Sequence, residues 1–170
     1  MKLTRKTYTT LALVLGSVAI AVNDQTVAQE VTWIPEASML TARYGLAAGV
    51  VNNIFYAVGG FNNEVGRPME TTVEAYDAVA NAWTTKAPIP TGRVLAAAGV
   101  VNDTLYVLGG TDFIGTMFAT VEAYRPGNNS WVRRAPMPAP RYGQAVAGVN
   151  GILYAVGGWD RVFFCLGGSC

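Results

Sequence analysis

At 170 residues the chain has room for about one ordinary domain. Apolar residues make up 51% and charged residues only 14%, a balance that excludes intrinsic disorder, which needs low hydrophobicity and high charge. With a net charge of +1 and no dense Lys/Arg run beyond the N-terminus, nothing supports nucleic acid as a partner.

The chain begins with a basic stretch carrying Lys2, Arg5 and Lys6, followed by LALVLGSVAIAV, an uncharged apolar run. Small residues then occur at Ala19–Ala21 and again at Thr26–Ala28. Basic start, short apolar core and small residues at a cut site describe a secretory signal peptide, residues 1–28, cleaved after Ala28 or after Ala21. The run is too short for a membrane anchor, which needs about 20 apolar residues. The mature chain is therefore expected to be secreted or periplasmic, with no stable membrane span once the signal is removed.

Beyond residue 29 the sequence repeats itself. RYGLAAGVVNNIFYAVGG (43–60), RVLAAAGVVNDTLYVLGG (93–110) and RYGQAVAGVNGILYAVGG (141–158) align without a gap, with one tyrosine, Tyr56, Tyr106 and Tyr154, in register. A second module, VEAYDAVANAW (73–83) and VEAYRPGNNSW (121–131), follows the first two. A third, WTTKAPIPTGR (83–93) and WVRRAPMPAPR (131–141), has a partner in WIPEASMLTAR (33–43). Such a period, about 50 residues, marks repeated supersecondary units.

The local chemistry shapes each unit. Asn52-Asn53, Asn102-Asp103 and Asn150-Gly151 lie between apolar runs and tolerate the positive φ of a two-residue hairpin turn. The same turn role accounts for the glycosylation sequons at Asn102 and Asn128. The flanking strands are nearly continuous apolar runs, expected to be buried on both faces, with Ala and Gly allowing neighbouring sheets to approach. Each glycine pair ends the second strand where a sharp turn leaves no room for a Cβ. VEAY and the tryptophan segment supply third and fourth strands, and the proline-rich loops end the pairing. An all-β chain of four-stranded antiparallel sheets results. After Gly158 the pattern gives way to WDRVFFCLGGSC, in which RVFFCL is at best a third strand. Cys165 and Cys170 can close a small ring in an oxidising compartment, or stay as tail thiols.

The glycine pair with tyrosine and tryptophan at fixed spacing resembles the kelch repeat, from Trp33 to Gly158. The resemblance implies β-propeller blades, with units at about 43–92, 93–140 and a partial 141–160 within a segment 29–160, and an atypical tail 161–170. It also implies that residues 33–42 form an outer strand of another blade, one able to close a ring. Two complete blades and a partial one are fewer than the four to eight of a typical propeller. The chain then reads as a shortened propeller product, or as one whose copies associate to complete a ring.

Kelch propellers mostly bind proteins or small ligands, and the variable loops after each glycine pair are the natural specificity elements. On this reading loop 61–70 and loop 111–118 make contacts, with Phe113, Ile114, Met117 and Phe118 forming an apolar surface or packing beneath their own loop. Arg43, Arg93 and Arg141 recur at the entrance to each innermost strand. They would bind an anion or a carbohydrate carboxylate if they converged, or pair with Glu74 and Glu122 or cap loop carbonyls within each blade. Kelch-bearing copper oxidases need imidazole ligands, and this chain has no histidine, so no metal or other cofactor is implied. Exported sialic-acid mutarotases also look like kelch propellers. Glu64, Glu70, Glu74, Glu122 and Asp160 are present, yet none forms a paired constellation of defined spacing. The expected function is an exported binding scaffold without catalysis of its own, with a mutarotase-like enzyme as the alternative.

Overall fold

The computed structural model describes residues 2–5, 31–62, 69–112 and 114–160. These fall into two compact units, Met1–Ala37 and Ser38–Cys170. In the first, β1 (Lys2–Arg5) pairs antiparallel with β2 (Val31–Ile34), placing Leu3 opposite Trp33. The apolar run of the expected signal and both cut sites lie outside the described residues. The described partner of the Trp33 strand is thus β1.

The second unit is a series of meanders. One sheet has the order β3 (Ala47–Val51), β4 (Ile54–Val58), β5 (Val73–Asp77), β6 (Ala82–Lys86), and a second repeats it with β7 (Ala97–Val101), β8 (Thr104–Leu108), β9 (Val121–Arg125) and β10 (Ser130–Arg134). A third region has two strands, β11 (Ala145–Val149) and β12 (Ile152–Val156). Among the described residues no helix is long and apolar enough to cross a membrane.

The turns follow from residue type. Asn52 and Asn53 (φ 50° and 64°), Asn102 and Asp103 (47° and 54°) and Asn150 and Gly151 (50° and 77°) all occupy the left-handed region. The strands close directly on them, with Val51 opposite Ile54, Val101 opposite Thr104 and Val149 opposite Ile152. Both central residues with positive φ give the hairpin turn whose twist suits the flanking strands. Farther out, Tyr76 faces Trp83 across β5–β6 and Tyr124 faces Trp131 across β9–β10. Each pair stacks at 5.1 Å between ring centroids. The hydroxyls of Tyr76 and Tyr124 donate to Asn81 and Asn129, the αL residues that turn the chain between these strands.

Neighbouring sheets meet through their small residues. A Cβ on Gly49 would stand 2.5 Å from Leu105 Cδ1, and one on Gly99 would stand 2.6 Å from Val146 Cγ1. Burial on both faces holds only where a sheet has neighbours on both sides. Val100, on the strand face opposite Gly99, packs against the shared core, whereas its counterpart Val50 is 54% exposed. Tyr56 of the first sheet packs on Tyr124 of the second at 5.5 Å. The indole of Trp131 donates to the Ala87 carbonyl, and the Ala87 amide donates to Asn129, a second tie between those sheets.

The glycine pairs supply the tightest joint. Gly60 donates its amide to the Arg93 carbonyl at 2.8 Å, and Gly110 donates to the Arg141 carbonyl at 2.9 Å. A Cβ on Gly59 would stand 2.8 Å from the Arg93 oxygen, and one on Gly109 would run into that of Arg141. Replacing Gly109 (φ 64°) by alanine is expected to lower the unfolding free energy by roughly 1–3 kcal/mol. Gly127, with nothing within 4 Å of its would-be Cβ, is the neutral control; denaturant titration of both variants checks this.

Burial raises the Tyr124 hydroxyl to about 12 from an ordinary 10.0, with a smaller push from Tyr56. The unfolded chain then loses this proton at lower pH than the folded one. The contribution of Tyr124 to stability should be level below pH 10 and decline from about pH 10 to about pH 12. Tyr124→Phe should make the alkaline decline in melting temperature shallower across that window, with burial of Tyr56 sustaining a remainder.

Candidate functional site

The three recurrent arginines differ in their surroundings although their sequence positions match. Arg93 is 1% exposed. Its guanidinium donates to Glu122 Oε2 at 2.5 Å, to the Gly109 carbonyl at 2.8 Å and to the Thr120 carbonyl at 3.3 Å, and its Nε donates to the Thr91 carbonyl. Burial depresses its pKa; Glu122 opposes that shift and neighbouring Arg133 reinforces it. An arginine nevertheless stays charged at any ordinary pH, so this is a buried ion pair held in a cage of carbonyls. Glu122, fully buried, accepts a further bond from the Thr91 hydroxyl.

The first sheet repeats the arrangement. Arg43 donates to Glu74 Oε1 at 2.8 Å and to the Ala57 carbonyl at 3.3 Å, while the amides of Leu40 and Thr41 donate to the two Glu74 oxygens. For these two arginines the geometry is pairing within a blade. Arg141 makes the matching bond to the Gly157 carbonyl at 2.8 Å, but no described carboxylate pairs with it.

The loop after the second glycine pair is pinned at its base and open at its tip. Phe118 donates its amide to the Gly110 carbonyl, Arg141 donates to the Phe118 carbonyl, and Thr111 bridges to Met117. The Phe118 ring lies 5.3 Å from the Arg93 guanidinium carbon, a cation–π contact, so it packs beneath its own loop. Met117 is half-buried, and Phe113 lies outside the described residues. At the tip, Asp112 Oδ1 accepts the amides of Ile114 and Thr116. Those bonds hold its carboxyl below the usual range although burial pushes it up. Ile114 is 84% exposed. Residues 63–68 of the first loop, Glu64 among them, and both cysteines lie outside the described residues.

Sequence reasoning overlooked Gln144. It stands where Leu46 and Ala96 stand in the other repeats, is 6% exposed, and donates to the Leu108 carbonyl of the preceding sheet. The change from apolar to amide at an otherwise regular position was the signal. Tyr154, in register with Tyr56 in the sequence, is 49% exposed against 4% for Tyr56.

Four-stranded antiparallel sheets repeated in sequence and packed through their innermost strands are the blades of a β-propeller. The Kelch motif matches residues 42–90 and 92–138, over half of the chain, and the chain belongs to the kelch-repeat family. Among solved structures, that of YjhT is similar over 75% of this chain with a TM-score of 0.63 and 26% identity, and the chain spans 37% of YjhT. No curated protein matches the sequence.

Replacing Glu122 by leucine would leave the Arg93 guanidinium buried without its counter-charge. Such a loss should cost about 3–5 kcal/mol. Arg133, 3.9 Å from Glu122 with a side chain 68% exposed, should change stability by no more than about 0.5 kcal/mol when replaced by alanine. Chemical denaturation of the two variants side by side gives the comparison.

Proposed function

We propose that the chain is an exported kelch-repeat scaffold that binds a protein or a small ligand through the loops following its glycine pairs, without catalysis of its own. The observation that carries this reading is the contrast between frame and loop. The two complete blades repeat their strands and their Arg–Glu pairs in register, while the segment after Gly110 presents Ile114 to solvent on a tip braced by Asp112. A fixed frame with a braced, variable tip is the arrangement in which loop sequence can set specificity at little cost to the fold.

The alternative is a sialic-acid mutarotase-like enzyme, in line with the sequence resemblance to exported kelch mutarotases. Two of the carboxylates such chemistry would draw on, Glu74 and Glu122, are engaged in ion pairs with Arg43 and Arg93. Engagement of that kind favours the scaffold reading.

Two measurements on the purified chain separate the readings. Anomerisation of N-acetylneuraminic acid, followed by proton NMR, should proceed at the buffer rate for a scaffold, and acceleration would support the enzyme. Proteins cross-linked to the wild-type chain in extracellular or periplasmic extract should be lost with Ile114→Ser at unchanged melting temperature. A capture pattern indifferent to that substitution would remove the loop from the binding role.

A further inference from the structure

Asn-Gly occurs once in the chain, at Asn150-Gly151, where it makes the turn of the third hairpin. Two other turns of the same build stand beside it for comparison. Asn52-Asn53 has φ of 50° and 64° and Asn102-Asp103 has 47° and 54°, against 50° and 77° for Asn150 and Gly151. All six residues are exposed. Left-handed geometry and exposure are thus common to the three turns. What differs is the residue that follows the first asparagine.

That residue governs a reaction of the asparagine itself. The backbone nitrogen of the following residue can attack the side-chain carbon Cγ and close a five-membered ring. The N–Cγ bond forms, the Cγ–Nδ2 bond breaks, and the attacking nitrogen gives up its proton as ammonia leaves. Water then opens the ring at one of its two carbonyls. Opening at Cγ yields aspartate. Opening at the former backbone carbonyl yields isoaspartate, whose main chain runs through Cβ and Cγ. No oxidant or reductant takes part. A Cβ on the attacking residue crowds this ring, and Asn53 and Asp103 each carry one. Gly151 carries none, and nothing stands within 4 Å of the place it would take. Its amide also lies between the closing pair Val149 and Ile152, outside the strand ladder.

We infer that Asn150 is a site of spontaneous modification, converted through a cyclic imide to isoaspartate and aspartate, while Asn52 and Asn102 persist in matching turns. Isoaspartate lengthens the main chain of a turn that closes on two residues, and either product adds a negative charge there. With isoaspartate in place, the pairing of Val149 with Ile152 is lost. Gly148, next to that pair, fits against the Val100 carbonyl with no room for a Cβ, so the change reaches the contact between β11 and β7. The modified turn opens the β11–β12 hairpin from its tip. This inference goes beyond loop-mediated binding and concerns a different part of the blade.

The test holds the purified full chain in mildly alkaline buffer. Mass spectrometry follows the tryptic peptides that carry the three turns, with the isoaspartyl and aspartyl forms separated chromatographically. Asn150 should react at least about tenfold faster than Asn52 or Asn102. Gly151→Asn recreates the Asn52-Asn53 turn, so Asn150 should slow to the rate of Asn52 while circular dichroism stays unchanged. The isoaspartyl chain, isolated by anion exchange, should lose hydrogen-exchange protection across β11–β12 and keep it across β3–β4. Equal rates at the three turns, or a rate at Asn150 that survives Gly151→Asn, would overturn the assignment. Full protection of β11–β12 in the isoaspartyl chain would overturn its effect on the hairpin.

Discussion

Arg93 faces two blades at once. Its guanidinium gathers Glu122 and the Gly109 and Thr120 carbonyls of its own sheet, while its backbone oxygen accepts the Gly60 amide of the preceding one. Bringing that cation out of water is costly, and the cost is offset only if the carboxylate and the carbonyls are all in place. The third strand must therefore be in register before the arginine can be buried. The buried arginine in turn positions the carbonyl on which the previous blade closes. Arg141 repeats the backbone half of this arrangement toward Gly110.

The glycine pairs follow from the same geometry. The Arg93 and Arg141 carbonyls that accept from Gly60 and Gly110 leave no volume for a side chain on Gly59 and Gly109, and all four glycines run at positive φ. Small residues on the innermost strands act alike at the sheet-to-sheet contact, where Gly49 meets Leu105 and Gly99 meets Val146. Aromatic residues take the outer part, where more space needs filling and where Asn81 and Asn129 give the tyrosine hydroxyls a partner. A blade thus runs from glycine and alanine on its inner strands to tyrosine and tryptophan on its outer ones.

The same frame explains how contact surface is distributed. Phe118 serves as a lid under the Arg93 cage, so an apolar loop residue in sequence became a structural one. Ile114, four positions earlier, is carried outward by the Asp112 turn. Among the described residues the third region has the arginine and the hairpin alone, and there Tyr154 and Val156 are exposed.

Much of this fold was legible in the residues alone. Asn-Asn, Asn-Asp and Asn-Gly turns, glycine pairs and the paired tyrosine and tryptophan carry backbone preferences that act over a few residues, and repetition supplied their register. Sequence by itself determined the hairpins, the blade and its period. Only the tertiary structure decided the fate of each arginine, because Glu122 lies 29 residues from Arg93 and reaches it through strand pairing, not through local preference. It likewise decided which apolar residues of one loop are buried, and that Val50 is exposed on β3 while Val100 packs against the core from the identical strand β7. Burial depends on what stands beside a strand, and no residue type encodes its neighbour.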